Sequence, residues 1–573
     1  MSSHPPVLEA DSVVDLLDIE IDWFFFTKEK LSPEAVRVGL LDHGLFGEKV
    51  PPCFVSYGLA AVAMEVMADL HDETDEQKLR KSIDNAGHDY VRYEALRDIN
   101  IPRHLGIPHP ECYAVQALAI SKHWKEIAEH CNKPAPAISR VHVRHVGNGS
   151  IFEMNYKGTE RFQLEEDEIQ WMAGAQYLVE ADIAACFPSI YTHCIPWALH
   201  DKSESKKTSS LTALSGNLLD KCTQNTRDRQ TNGLLIGPHA SNIVSEIILT
   251  RVDTALQAKG YAKIVRHVDD YKFYASTVEE AEGFIRDLGL NLRTYEMSLN
   301  EKKTQILKLP RPSDENWRLV LNRFIFPTTQ DIRFSVIRSY LDLALECAQA
   351  IEKSTPLNYA IKTLAGHDEP RKLNGRAKRM YAQEAMNLAL AFPYLSPLLD
   401  ECVFIPYWHA GLQERIAAFS TALARLGAKK IYPDAIAQSL FLALKYQVAL
   451  GLSDEELVGI VLLDDCVTNV LLLEYAKKQG LKKVRTAIKK RAAMLKADDG
   501  RERDKHWLLI YQTWTIAELK GNGQGFLAKL KGQGFEFFAM PTKVLEKTPT
   551  AAALNSDLPP PSHHLVAVGA TAQ

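Results

Sequence analysis

No apolar run in this chain approaches the roughly 20 residues that crossing a bilayer requires. Runs such as Gly459–Leu463 and Val467–Leu473 are separated by Asp464 and Asp465. Glu9, Asp11, Asp15 and Asp18 precede any apolar stretch, the wrong pattern for a secretory signal, so none is expected. There is no C-x-x-C pair and no metal-like cysteine spacing. The nine cysteines are scattered and odd in number, which argues against a disulfide framework and for free thiols in a reducing compartment. These absences give the expectation of a cytoplasmic protein with no membrane partner. Net basic charge is also missing. The formal charge is −5, so the molecule is no indiscriminate polycation, and any grip on nucleic acid must come from local clusters of Lys and Arg.

What is present is a chain of 573 residues with 46% hydrophobic and 24% charged content, enough for two or three domains around a large core. Up to about residue 335, helical patterns alternate with short β-branched runs and Pro/Gly turns, the mark of mixed α/β structure. From 336 to about 535 the pattern is almost purely helical. Amphipathic segments cover Val336–Lys353, Ala382–Leu390, Arg415–Leu426, Ile436–Leu450, Asp454–Gln479 and Lys482–Lys496. No fixed period emerges, so a degenerate stacked repeat and an irregular bundle fit equally. Beyond Met540 the chain is rich in Ala, Pro, Ser and Thr, and disorder is expected.

The central segment carries the chemistry. Tyr177–Ala181 reads as a buried strand delivering Asp182 at its end. Ser241–Lys259 puts Ile243, Val244, Ile247, Ile248, Val252 and Leu256 on one helical face. Lys263–His267 and Tyr271–Ala275 read as a hairpin joined at Val268-Asp269-Asp270. A helix over Val278–Leu288, stopped by Gly289, and a strand over Lys303–Leu309 follow. The order predicts a split βαββαβ sheet with helices on one face, an architecture shared by polymerase palms and ferredoxin-like domains.

Nucleotidyl transfer by two metals needs ions about 3.5–4 Å apart. Magnesium takes a few carboxylates plus phosphate oxygens rather than an all-protein cage. Asp182, Asp269 and Asp270 supply that set if their strands are neighbours. Asp464-Asp465 looks similar but lies in a helical pattern with no carboxylate on a nearby strand.

Four neighbouring elements turn the pattern into a resemblance. Asp182-Ile-Ala-Ala-Cys-Phe187, Gly237-Pro-His-Ala-Ser241, His267-Val-Asp-Asp270 and Leu299-Asn-Glu-Lys302 resemble, in order, the palm motifs of reverse transcriptases. Upstream, Gly44 to Phe54 and Ile107-Pro-His109-Pro110 resemble fingers segments of the abortive-infection and defence-associated bacterial reverse transcriptases. For Pro51, Pro52 and His109 themselves, turn and packing roles suffice. The resemblance implies an α+β right-hand polymerase, with fingers and palm followed by an all-α, HEAT-like region. The expected divisions are 1–175 (N-terminal and fingers), 176–335 (palm), 336–540 (helical) and 541–573 (tail).

It also implies site roles. Asp182, Asp269 and Asp270, with the Ile183 backbone, would hold two Mg2+ ions, for which Mn2+ can substitute. Phe187 would lie under the incoming sugar and exclude a 2′-hydroxyl. Gly237 would allow close backbone approach to the nascent pair, and Lys302 would lie near the triphosphate. Ser241 is also placed to cap its helix. Where the family has Gln before the glycine and Pro after the serine, this chain has Ile236 and Asn242, a departure bearing on template handling. Arg140, His142 and Arg144 share a strand face ahead of the Gly147-Asn-Gly149 turn; triphosphate contact and a solvated face are both open for Arg140 and Arg144. Lys482, Arg485 and Lys489 share a helical face suited to a phosphate backbone or to solvent. Arg371, Lys372, Arg376, Lys378 and Arg379 form a second basic cluster with the same two readings.

The expected function is a reverse-transcriptase-like DNA polymerase of antiphage defence using dNTPs. The resembled group includes members that start on a protein hydroxyl and extend without a conventional template. The product would then be DNA attached to the protein, and Tyr340, Tyr359, Tyr381 and Tyr446 are available hydroxyls. A homo-oligomer, and a non-coding RNA or second defence protein as partner, follow from the same resemblance. The alternatives are conventional reverse transcription of a bound non-coding RNA, an RNA-dependent RNA polymerase, which Phe187 disfavours, and an inert nucleic-acid-binding scaffold, against which the three aspartates argue.

Overall fold

The computed structural model describes residues 31–540 apart from 68–74, 99–100, 132–141, 144–151, 154–158, 313–314, 328–329, 367–368 and 499. Arg140, Arg144 and the tail 541–573 therefore lie outside the described residues.

The N-terminal part is built on a long hairpin, β1 (Tyr90–Asp98) against β2 (Ile101–Pro108). Helix α1 (Pro110–Lys122) follows at once, its start fixed by His109 as N-cap and Pro110 at the first turn. Almost all of α1 is buried, so His109 is a capping and packing residue. A two-residue ladder pairs His142–Val143 with Phe152–Glu153.

Four strands form the central sheet: β3 (Tyr177–Asp182), β4 (Ile264–His267), β5 (Asp270–Ala275) and β6 (Gln305–Lys308). Their spatial order is β4-β5-β3-β6, and every pairing is antiparallel. Helix α2 (His239–Ala258) and helix α3 (Val278–Thr294) belong to the same unit. All six apolar residues read from the sequence onto one face of α2 are fully buried. Phe284 of α3 stacks on Phe273 of β5 with centroids 4.5 Å apart.

Three expectations need correction. Gly289 does not stop α3, because the buried stripe Phe284, Leu288, Leu292 continues through it. One glycine costs a helix only about 1 kcal/mol, less than that stripe contributes. Ser241 does not cap α2: Pro238 is the N-cap residue, and Ser241 lies buried inside the first turn. Asp464 and Asp465 sit in a break between helices, where Asp465 caps α8 (Cys466–Lys478) by accepting from the Thr468 amide at 2.7 Å.

The C-terminal region is helical. Helices α4 (Phe334–Ile351), α5 (Gly375–Ala391), α6 (Leu412–Lys430) and α7 (Pro433–Lys445) pack successively on one another, and α7 packs on α8. Helices α9 (Lys482–Met494) and α10 (Trp507–Thr513) complete the region around α8. It turns back onto the hairpin: Asp434 of α7 accepts from the Tyr93 hydroxyl at 2.5 Å and from the Leu96 amide at 3.0 Å. Trp507 donates to the Ile107 carbonyl at 3.3 Å. No described helix is long and apolar enough to cross a membrane.

Candidate active site

The register of the sheet makes the site. β3 lies beside β5 with Asp182 directly opposite Asp270, and Asp270 faces His267 across the β4–β5 hairpin. Asp269 sits at the turn, and its carbonyl accepts from the Ile183 amide at 3.2 Å, stitching the turn to the end of β3. Carboxylate oxygens of Asp182, Asp269 and Asp270 lie within 4.8 Å of one another. Asn300 holds Asp182 from below, its amide donating to the Asp182 carbonyl at 2.7 Å and its side chain to Oδ2 at 2.8 Å.

Three carboxylates this close repel one another. Burial, then Asp269 and Asp182, push Asp270 up to about 7. Burial and the Asp182 charge also raise Asp269, against the pull of Lys303 and Arg103. Two side-chain cations do not offset the crowding. An all-oxygen, partly buried donor set of three crowded carboxylates fits a hard divalent cation.

Around the triad the other expected residues fall as follows. Phe187 is on a short helix, Cys186–Ser189. Its side chain is half-buried, and its carbonyl accepts from the Leu234 amide at 2.8 Å. Gly233 bonds to the Ile190 carbonyl at 2.7 Å, so the segment leading into α2 is tied to the segment that follows Asp182. Gly237 has φ +124°, a conformation few residues other than glycine adopt. Gly47 packs against it so closely that a Cβ on Gly47 would meet the Gly237 Cα at 2.8 Å. Gly237→Ala is expected to cost on the order of 1–3 kcal/mol, read as a lower denaturation midpoint.

Lys302 is exposed. It is Lys303 whose Nζ comes within 3.4 Å of Asp182 Oδ1. Lys482, Arg485 and Lys489 lie on α9, which packs on α8 and on the helix Asp454–Val461 rather than at the triad. Their neighbours Lys483 and Arg491 are engaged by Asp454 and Asp464. In the second basic cluster Arg371 is structural, donating to the Thr363 carbonyl at 2.9 Å and lying over the Phe326 ring.

Arg103 of β2 was not singled out from sequence, yet its charge acts on Asp269. The signal was there: Arg97-Asp-Ile-Asn-Ile-Pro-Arg103 has turn-forming Asp and Asn between two alternating runs. The glycines at 147 and 149 gave a louder turn signal and drew attention to Arg140 and Arg144 instead.

A palm-like sheet with three aspartates converging at one edge is the arrangement expected of a nucleotidyl polymerase. Residues 103–350 match the family model described as reverse transcriptase (RNA-dependent DNA polymerase). The chain thus contains a reverse transcriptase domain and is a reverse-transcriptase-type nucleotidyltransferase. No curated protein matches it in sequence. Solved structures that resemble it include telomerase from Candida albicans in complex with a TWJ fragment of telomeric RNA. That chain is 10% identical with a TM-score of 0.26, covering 79% of this chain and 69% of its own. Apo telomerase from Candida tropicalis is 9% identical with a TM-score of 0.27, covering 82% and 76%. Overlap at these scores carries no functional reading.

Proposed function

We propose that this protein is a magnesium-dependent DNA polymerase of antiphage defence, primed on a protein hydroxyl and extending without a conventional template. The convergence of Asp182, Asp269 and Asp270 on one sheet edge, within 4.8 Å, carries the polymerase reading. In this reading the three aspartates and the Ile183 backbone hold two Mg2+ ions, or Mn2+ in their place. Bound there, the ions would supply the charge that activates the attacking hydroxyl and stabilises the departing pyrophosphate. Lys303, 3.4 Å from Asp182 Oδ1, and Arg103, whose charge acts on Asp269, are assigned to the triphosphate oxygens, with Arg giving the bidentate contact. Lys302, Arg140 and Arg144 are second-rank candidates for the same task. Ser241, buried beside Gly237 at the start of α2, is assigned to the nucleotide pocket.

Phe187 is assigned the sugar-discriminating role. Phe187→Ala is expected to lower the dNTP-over-rNTP ratio of kcat/KM by about 10–100-fold, measured by single-nucleotide incorporation.

The motif resemblance and the helical C-terminal region support the defence assignment, with a division at residues 175, 335 and 540, a HEAT-like character for 336–540, a homo-oligomer and a cytoplasmic location. Ile236 and Asn242, where templated relatives have Gln and Pro, favour untemplated synthesis over copying of a bound RNA. Among the four tyrosines read as available, Tyr340, Tyr381 and Tyr446 are fully buried. Tyr359 is half-buried, with its hydroxyl on Asn322 at 2.5 Å, which makes it the best placed of the four. Lys482, Arg485 and Lys489 would track the product's phosphates. The test is incorporation of labelled dNTPs with Mg2+ and no added primer or template, resolved on denaturing gels before and after proteinase K. Label released only by digestion, resistant to RNase and sensitive to DNase, is the expected result. Label only when RNA and a primer are added would replace this reading by templated reverse transcription.

A further inference from the structure

Three residues before Asp269, β4 buries a complete guanidinium. Arg266 is 0% exposed, and its guanidinium donates to Asp253, Glu246 and a backbone carbonyl. Nε lies 2.9 and 3.1 Å from the two oxygens of Asp253. Nη2 reaches Asp253 Oδ2 at 2.8 Å and Glu246 Oε1 at 2.9 Å. Nη1 reaches Glu246 Oε2 at 3.0 Å and, with its other N–H, the Val268 carbonyl at 3.0 Å. Glu246 and Asp253 are two turns apart on α2 and so share a face. The Tyr271 hydroxyl closes the far side, donating to Asp253 Oδ1 at 2.9 Å.

Stability does not explain this arrangement. Two carboxylates and one guanidinium leave a buried net negative charge, and apolar residues of similar volume are commonly as stable or more so. The bond to the Val268 carbonyl suggests another reason. Val268 is a β-branched residue at φ +57°, a left-handed conformation that such side chains adopt only under constraint from their surroundings. Its carbonyl belongs to the planar peptide joining Val268 to Asp269. A rigid fork that grips this oxygen therefore fixes the direction in which Asp269 leaves the turn. The next peptide, Asp269–Asp270, is registered against β3 and Asp182 by its carbonyl, which accepts from the Ile183 amide at 3.2 Å.

We propose that Arg266 is a positioning residue for nucleotidyl transfer: anchored to α2 by Glu246 and Asp253, it holds the Val268–Asp269 peptide and thereby sets the spacing of the metal-binding carboxylates. The proposal rests on the reading of Asp182, Asp269 and Asp270 as a metal site. Lysine cannot substitute, since an ammonium has three donors and no planar fork.

The test compares Arg266→Lys with a neutral triple variant, Glu246→Gln/Asp253→Asn/Arg266→Met, which removes the buried charges together and so keeps the fold if the lysine variant does not. Mn2+ binding to the resting protein, followed by electron paramagnetic resonance, is read beside kcat, KM for dNTP and the melting temperature. Both variants are expected to bind Mn2+ about 10–100-fold more weakly and to lose kcat by a similar factor, with KM for dNTP nearly unchanged. Asp269→Asn/Asp270→Asn is the control. If the control loses Mn2+ while the folded Arg266 variants keep wild-type binding and kcat, Arg266 is merely structural and the proposal is overturned alone. If the control retains Mn2+, the metal-site reading falls and takes this proposal with it.

Discussion

Asparagine in place of Asp270 is expected to abolish nucleotide incorporation and, without divalent cations, to leave the fold more stable. The activity loss should be roughly 10³-fold or more, the scale on which preorganised electrostatic groups at a reacting centre act. The gain in stability follows from the crowding. Burial and the Asp269 and Asp182 charges raise Asp270 from 3.8 to about 7. A carboxyl raised on folding costs stability at any pH where the unfolded chain ionises it and the folded chain resists. That cost is absent below about 4, grows through the window up to 7 and is constant above it. Melting temperatures should therefore diverge with rising pH, the asparagine variant lying above wild type at pH 8 and meeting it near pH 4. Adding Mg2+ should raise the wild type alone and close the gap. A variant that keeps incorporation, or a gap that Mg2+ does not narrow, would sink the reading of this triad.

The same cluster shows what the sequence could and could not convey. Asp182 at a strand end and Asp269-Asp270 at a hairpin are local patterns, and strand pairing needed only the usual antiparallel neighbours to bring them together. The buried face of α2 was legible from its six apolar residues. Glu246 and Asp253 were not, because they lie on the buried side of that helix and a hydrophobic stripe does not reveal polar residues inside it. Their partner Arg266 reads as an ordinary strand residue until the fold buries it. Lys302 and Lys303 are adjacent, so choosing between them required the direction of the turn that follows Leu299. The docking of the C-terminal helices onto β1 left no sequence signal, since Asp434 looks like any acidic residue in a first helical turn.

That docking leads to the second large effect: loss of His88 should unlatch the fingers hairpin from the C-terminal region. His88 stands just before β1 and is largely buried. Its Nδ1 lies 3.1 Å from Asp504 Oδ2 and its Nε2 3.1 Å from Glu111 Oε2. The ring stacks on His109 with centroids 3.8 Å apart, and His109 is in turn bound to Gln524 at 2.9 Å. His88, His109 and Asp504 have the composition of a metal site, but both ring nitrogens of each histidine already have hydrogen-bond partners. The cluster is a latch. Burial opposes a charge on His88, yet the hydrogen bonds it donates to Asp504 and Glu111 outweigh it and lift His88 from 6.5 to about 9. Burial and the neighbouring His88 charge keep His109 neutral, well below its ordinary value.

The sign follows directly. A histidine raised on folding stabilises fully below 6.5 and loses that contribution as pH climbs through 9. A shift of this size corresponds to on the order of 3 kcal/mol, the range found for breaking buried pairs. His88→Ala removes the cation that Asp504 and Glu111 share and should lower the stability of the docked hairpin by about that amount at pH 7. The difference from wild type should shrink between pH 6.5 and 9, and exchange free energies of the β1 and β2 amides across that window check it. Hydrogen exchange in β1 and β2 should accelerate while that in β3 and β5 stays unchanged, because the latch holds the hairpin and not the palm sheet. Because Arg103 is carried on that hairpin, KM for dNTP should rise in the same variant. Uniform acceleration across both sheets would show instead that His88 supports global stability, and that the C-terminal region does not set the position of the fingers.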